Sequence, residues 1–173
     1  MATNNPPEDQ LLFQIGWMAD SFAGLELQVV NLFAYLINAE NPRVGEVISD
    51  RLSLHQTTSL IEDLLKLSRG AETHRQFKAI SSEVDKAAAI RNDILHSTWL
   101  TPSANDTMQC DIIQERARKR HMGVTGHELD GLLRRIEEGV FFVQDVAFKI
   151  DCFANELRRL TAGAEPGLHR PSA

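Results

Sequence analysis

The sequence predicts an all-α bundle of about four long helices, with a small β-hairpin or structured loop inserted before the last helix. Three observations predict it. Apolar residues recur with helical spacing over most of the 173 residues. Glycine and proline are sparse, at 10 and 6 residues. Two capping-box patterns, "SLHQ" and "TGHE", mark helix starts.

The first predicted helix covers residues 8–39. Its apolar residues are separated alternately by four and three positions, which is typical of one face of a long helix. They are Leu11, Ile15, Met18, Phe22, Leu25, Val29, Leu32 and Leu36. Apolar flanking residues, among them Leu12 and Phe13, predict burial on more than one side.

The second predicted helix begins after the cap Ser53 and ends at Gly70, with Leu54, Ile61, Leu64, Leu65 and Leu67 on its inner face. The third runs from about residue 72 to 98 on a stripe that includes Phe77, Val84 and Leu95. The insertion covers residues 100–124, where Met108, Cys110 and Ile112 alternate with polar residues as in a strand. The last helix follows a cap at Thr125, with an inner face from Leu129 to Leu160.

The predicted organisation is a disordered N-terminus at residues 1–7, one helical domain at 8–161 and a disordered tail at 162–173. The formal charge of −6 argues against a protein that binds nucleic acid over its whole surface. The two cysteines lie far apart, which favours a reducing, cytoplasmic location. The first ten residues do not resemble a signal peptide, and no apolar run is long enough to predict a membrane span.

The stretch "AAAIRNDILHSTW" carries the most informative residues. At about 100° per residue, Arg91 falls near the centre of the apolar stripe of the third helix. A buried arginine requires a partner, and Glu26 on the first helix is the candidate. Asn92 and His96 are four apart and are expected to stack on one flank, joined by Trp99, while Asp93 points outward.

These residues resemble the R-x4-H signature of the HEPN superfamily, in the extended form "RNDILHSTW". The resemblance implies a small all-α homodimer whose two motifs meet at the interface, and many such proteins are metal-independent ribonucleases, toxins among them. It would make His96 the general acid or base, Arg91 the phosphate ligand, and Asn92 and Asp93 their supporting groups. Toxins of this group paired with a nucleotidyltransferase antitoxin often carry tyrosine two positions after the histidine, where this chain has Thr98.

Other readings stay open at this point. Arg91 and His96 fit a structural ion pair and an interface histidine equally well, which would leave a non-catalytic helical dimer that binds a nucleotide or a protein regulator. The basic run Arg116, Arg118, Lys119 and Arg120 fits either an RNA-backbone contact or a solvated hairpin edge. No cofactor is expected. The histidines at positions 121 and 127 lack the spacing of a metal site, so no metal is expected either.

Overall fold

The computed structural model describes residues 7–95, 97–100, 110–114, 121–124 and 126–162; the strands and residues 7, 8 and 126–129 are described by backbone alone. These residues form α1 (Pro7–Ile37), α2 (Arg43–Ser49), α3 (Leu54–Ser68), α4 (Ala71–Leu95), β1 (Ser97–Leu100), β2 (Cys110–Gln114), β3 (His121–Val124) and α5 (Gly126–Ala162). The predicted all-α helical bundle is confirmed, and the described residues form five helices: the four predicted ones and the short α2. In the described part of the chain, no helix is both long and apolar enough to cross a bilayer.

The periodic face of α1 forms the centre of the core, as its spacing predicts. Its buried members are Leu11, Met18, Phe22, Leu25, Val29 and Leu32. The flanks behave differently, because Leu12 and Phe13 are each 67% exposed. The expectation that α1 is buried on more than one side is therefore wrong for its first turns.

α1 and α5 lie side by side and run parallel. Gln144 donates a hydrogen bond to Ser21 Oγ at 3.0 Å, and the guanidinium of Arg158 stacks over Tyr35. In both contacts the residue numbers on α5 and α1 differ by the same amount, which requires that the two helices run in the same direction.

α4 is antiparallel to α5, since Lys149 contacts Glu83 whereas Phe153, further along α5, packs on Phe77, earlier in α4. The Lys149 ammonium donates to Asp145 and to Glu83, each at 2.8 Å, and these bonds raise the pKa of Lys149 above its ordinary 10.5.

The sequence did not predict α2, which has only seven residues and is too short to show a helical period. It packs on the end of α1 through Gly45, where an added Cβ would lie 2.3 Å from the Cα of Ala34. Only a glycine allows the two helix backbones to approach this closely.

The capping box of α3 is confirmed. Ser53 Oγ accepts from the Gln56 N–H at 3.3 Å, and Gln56 Oε1 accepts from the Ser53 N–H at 2.8 Å. Gly70, with φ +87°, turns the chain into α4.

Two residues predicted on inner faces are exposed instead, Leu67 at 85% and Leu160 at 60%. Leu67 lies two positions after buried Leu65, about 200° around the helix, so it points away from the core. Leu160 lies in the last turn of α5, where it lines a groove with Glu72 and Thr73 in the first turn of α4 and stays open to solvent.

α4 ends at Leu95, not at residue 98 as predicted, because the residues that follow pair as a strand. β1, β2 and β3 form an antiparallel sheet in that order, with Trp99 opposite Ile112 and Cys110 opposite Val124. β2 contains Cys110 and Ile112, two of the three residues predicted in a strand. Met108 and the predicted cap Thr125 lie outside the described residues.

Candidate functional site

The last turns of α4 pack between α1 and α5. Ile90 and Ile94 point at Gly139 of α5, where an added Cβ would lie 2.8 Å from Ile90 and 3.7 Å from Ile94. The same point is 3.2 Å from the methyl group of Met18, so α4 packs against both α1 and α5 at this level. This packing fixes the rotation of α4 about its own axis. The side chain of Arg91 therefore lies along the surface of α1.

Arg91 is half-buried and rests on the core without entering its centre. Its guanidinium carbon lies 5.2 Å above the ring centre of Phe22, a distance at which the ring attracts the cation. Its Nη1 donates to Asn92 Oδ1 at 2.9 Å. The Phe22 ring and the Asn92 amide therefore hold the guanidinium on two sides.

The charge of Arg91 is incompletely compensated. Its Nε is buried and has no hydrogen-bond partner. Among the residues that the structure describes, no carboxylate forms an ion pair with Arg91. A buried unpaired donor costs about 1–3 kcal/mol, so this arginine is held in place by packing and not by ion pairing.

The predicted partner Glu26 is exposed and does not pair with Arg91, so this expectation is wrong. The guanidinium lies over Phe22, one helical turn before Glu26, and Asn92 fixes it there. The carboxylate of Glu26 remains in solvent, where it is well hydrated.

The other residues of the motif take separate positions. Asn92 is half-buried, and its Oδ1 accepts a hydrogen bond from Arg91, one of the two residues that it was expected to support. Asp93 is exposed, as its outward angle predicts. Trp99 lies in β1, so the expectation that it continues the helical flank of Asn92 is wrong. The aromatic residue favours a strand, and its backbone pairs with that of β2.

Five predicted site residues lie outside the described residues: His96, Arg116, Arg118, Lys119 and Arg120. The roles assigned to them stay predictions. Within the described ranges, no three His, Cys, Asp or Glu side chains come together in a group that could hold a metal ion.

Phe22 is the site residue that sequence reasoning did not identify. It was predicted in the core, and it is buried there, but its ring also forms the support for Arg91. A cation that the helical period places within an apolar stripe is a signal for such a contact, because the face of an aromatic ring attracts a cation without carrying a charge.

Arg91, Asn92 and Phe22 thus present a fixed, incompletely paired cation at the end of α4, directly before His96 and the sheet. Comparison with known proteins adds no assignment, since no family model, curated protein or solved structure matches this chain.

Proposed function

We propose that this protein is a HEPN-like endoribonuclease that cleaves RNA without a metal, and that it acts as a cytoplasmic homodimer in a defence or toxin–antitoxin system. The observation that carries the proposal is the guanidinium of Arg91. It is held by Phe22 and Asn92 and has no carboxylate partner among the described residues. A positioned cation with no carboxylate partner among these residues suits an anionic ligand, and the planar donors of a guanidinium match the oxygens of a phosphate.

The proposed reaction is attack of a ribose 2′-oxygen on the adjacent phosphorus. A new O2′–P bond forms, the P–O5′ bond breaks, and the products are a 2′,3′-cyclic phosphate and a 5′-hydroxyl. One proton leaves the 2′-hydroxyl and one is delivered to O5′. His96 of one copy takes the first proton and His96 of the second copy gives the other, since an imidazole titrates near neutral pH.

Arg91 binds the non-bridging oxygens of the phosphate and stabilises the charge that grows on them during attack. Asn92 supports this role by holding one guanidinium nitrogen, so that the remaining donors face the ligand. The basic run Arg116, Arg118, Lys119 and Arg120 contacts the RNA backbone on either side, and binding therefore weakens as salt concentration rises.

The test is incubation of purified protein with varied RNAs in the presence of a chelator. Wild type is expected to cleave, and Arg91→Ala and His96→Ala are each expected to lose about 10²–10⁴-fold in rate. Arg75→Ala is the matched control on α4, and His55→Ala is the control for histidine; both residues are exposed and should leave the rate unchanged.

The chemistry of the products gives a second readout. RNA with 2′-O-methyl groups should resist cleavage, and cyclic phosphate ends should appear in unmodified RNA. Cleavage that survives both substitutions would refute the assignment of the site. A wild-type protein that cleaves none of the RNAs would support the other candidate, a non-catalytic helical dimer that binds a nucleotide or a protein regulator.

A further inference from the structure

The seam between α1 and α5 carries exposed aromatic rings. Trp17 lies in the middle, with its ring centre 6.1 Å from that of Phe13 and 5.5 Å from that of Phe141, which it meets edge to face. Of the eight phenylalanines in the chain, the three that are exposed all lie on this seam: Phe13 at 67%, Phe141 at 53% and Phe148 at 66%. Single exposed apolar side chains are ordinary, whereas clustered exposed rings mark a surface that contacts another molecule.

The rings border a groove. A hollow opens on each side of the contact between Trp17 and Phe141, and we call the two hollows together the α1/α5 groove. The first, of about 580 Å³, is lined by Phe13, and the second, of about 360 Å³, by Gly24 and Phe148. A Cβ built on Gly24 would meet no atom within 4 Å, so a bound chain can approach the backbone of α1 closely there.

The α1/α5 groove is open because α4 packs on the opposite side of the helix pair. Phe141 lies two residues after Gly139, the point at which α4 packs on α5, and is therefore about 200° around the helix from it. On α1, Trp17 is about 140° around the helix from Phe22, the support of Arg91. An occupant of the groove therefore leaves the guanidinium of Arg91 accessible.

The rim of the α1/α5 groove is acidic. Five carboxylates line the two hollows together with one cation, Arg134. The carboxylates are those of Asp9, Asp20, Asp130, Glu137 and Asp151. Among the residues that the structure describes, none of these five forms an ion pair. Their combined field attracts a cationic partner and repels an anionic one.

We propose that the α1/α5 groove binds a basic amphipathic helix of a second protein. The apolar side chains of that helix pack on the exposed rings, and its lysine and arginine side chains face the carboxylates. The ring faces also attract these cations. The hollows extend along residues 9–28 of α1, which is about 28 Å and matches a bound helix of about five turns.

Two other occupants suit the α1/α5 groove less well. RNA bases can stack on exposed rings, but the phosphates of the RNA would meet five carboxylates. A second copy of the chain would bring an equal set of carboxylates against the first, and like charges across an interface oppose binding. Charge therefore favours a cationic protein segment over both.

Fluorescence of Trp17 reports binding inside the groove. Trp99→Phe leaves Trp17 as the only tryptophan of the full chain. The probe is a synthetic helix of about 18 residues, without aromatic residues, that carries leucine on one face and lysine on the other. It should shift the Trp17 emission saturably, and less tightly as salt concentration rises. A twin peptide with glutamate in place of lysine should bind at least about 10-fold more weakly.

Two groove variants test the contact, each with a matched control on α3. Phe148→Ser removes an exposed ring, and Glu137→Lys reverses one charge of the rim; each should raise the dissociation constant of the lysine peptide at least about 10-fold. Leu67→Ser removes a side chain that is 85% exposed, and Asp63→Lys makes the same charge reversal at an exposed position. Both controls should leave the dissociation constant unchanged, and circular dichroism should show all four variants folded.

Several outcomes would overturn the proposal. They are no saturable response of Trp17 to the lysine peptide, equal binding of the glutamate twin, and binding that Phe148→Ser and Glu137→Lys leave unchanged. A single-stranded RNA that shifts the Trp17 emission and binds Phe148→Ser more weakly would assign the groove to RNA instead. A wild-type dimer that Phe148→Ser dissociates, as measured by light scattering, would assign it to a second copy.

The test is independent of the nuclease proposal. The lysine peptide should leave RNA cleavage unchanged, because Arg91 lies on the other side of the helix pair. If wild type binds the peptide as expected and cleaves no RNA, the groove stands and the nuclease proposal fails. If wild type cleaves RNA and the peptide does not bind, the nuclease proposal stands and the groove proposal fails.

Discussion

Replacement of Arg91 by methionine separates a functional arginine from a structural one. Methionine keeps an unbranched apolar stem and removes the guanidinium. In the structure, this deletes the hydrogen bond from Nη1 to Asn92 Oδ1 and the contact with the Phe22 ring, and it also removes the buried, unpaired Nε. The first two changes lower stability and the third raises it.

The opposing contributions are similar in size. A hydrogen bond from a charged group contributes about 1.5–3 kcal/mol, and less here because Arg91 is half-buried and Asn92 can bind water instead. The cation–π contact contributes about 0.5–1 kcal/mol, and relief of the unpaired donor returns about 1–3 kcal/mol. We therefore expect Arg91→Met to change the free energy of unfolding by no more than about 1 kcal/mol, while RNA cleavage is lost.

Urea denaturation followed by circular dichroism measures the change, with Arg75→Met as the control for an exposed arginine on the same helix. An arginine kept for a buried ion pair would behave differently, because breaking such a pair costs about 3–5 kcal/mol. A loss of that size in Arg91→Met would refute the reasoning and favour a purely structural role.

Three further predictions concern stability. Gly45→Ala should lower the free energy of unfolding by about 1–2 kcal/mol, because the clash with Ala34 outweighs the gain in helix propensity. Gly24→Ala has open space around it and should raise the free energy of unfolding by up to about 1 kcal/mol; urea denaturation measures both variants. Ser53→Ala should cost about 1 kcal/mol in the same assay through loss of the cap. The raised pKa of Lys149 means that folding favours its charged form. The stability lost in Lys149→Met should therefore be largest below pH 10.5 and should disappear as the pH rises through the raised pKa. Thermal melts across this pH range measure the difference.

The sequence was sufficient to predict the helices whose pattern repeats over many turns. The face of α1 and the cap at Ser53 were predicted correctly because period and capping depend on local chemistry. The sequence did not predict α2, because the position of this short helix depends on one close backbone contact between Gly45 and Ala34. No repeating pattern in the sequence indicates a contact of this kind. The end of α4 was misplaced since strand pairing with β2 stops the helix before Trp99.

The site was predictable to a similar extent. The helical period placed Arg91 toward the bundle, and the structure agrees in direction. The identity of its neighbours required the tertiary arrangement, because α1 offers both Glu26 and Phe22 within one turn. The half-buried guanidinium of Arg91 packs on the ring of Phe22, while the carboxylate of Glu26 stays in solvent, where it is better hydrated.

The unequal lengths of the helices explain why Arg91 lies at an open end of the bundle. α3 has 15 residues, whereas α1 has 31, α4 has 25 and α5 has 37. At about 1.5 Å per residue, α3 covers only about 22 Å, less than half the length of α1. His55, in the first turn of α3, contacts Asp85 of α4, so the following ten residues of α4, Arg91 among them, extend past α3. Because α3 ends before this level, it supplies Arg91 with no neighbour, and the guanidinium is left open to an anionic ligand on that side.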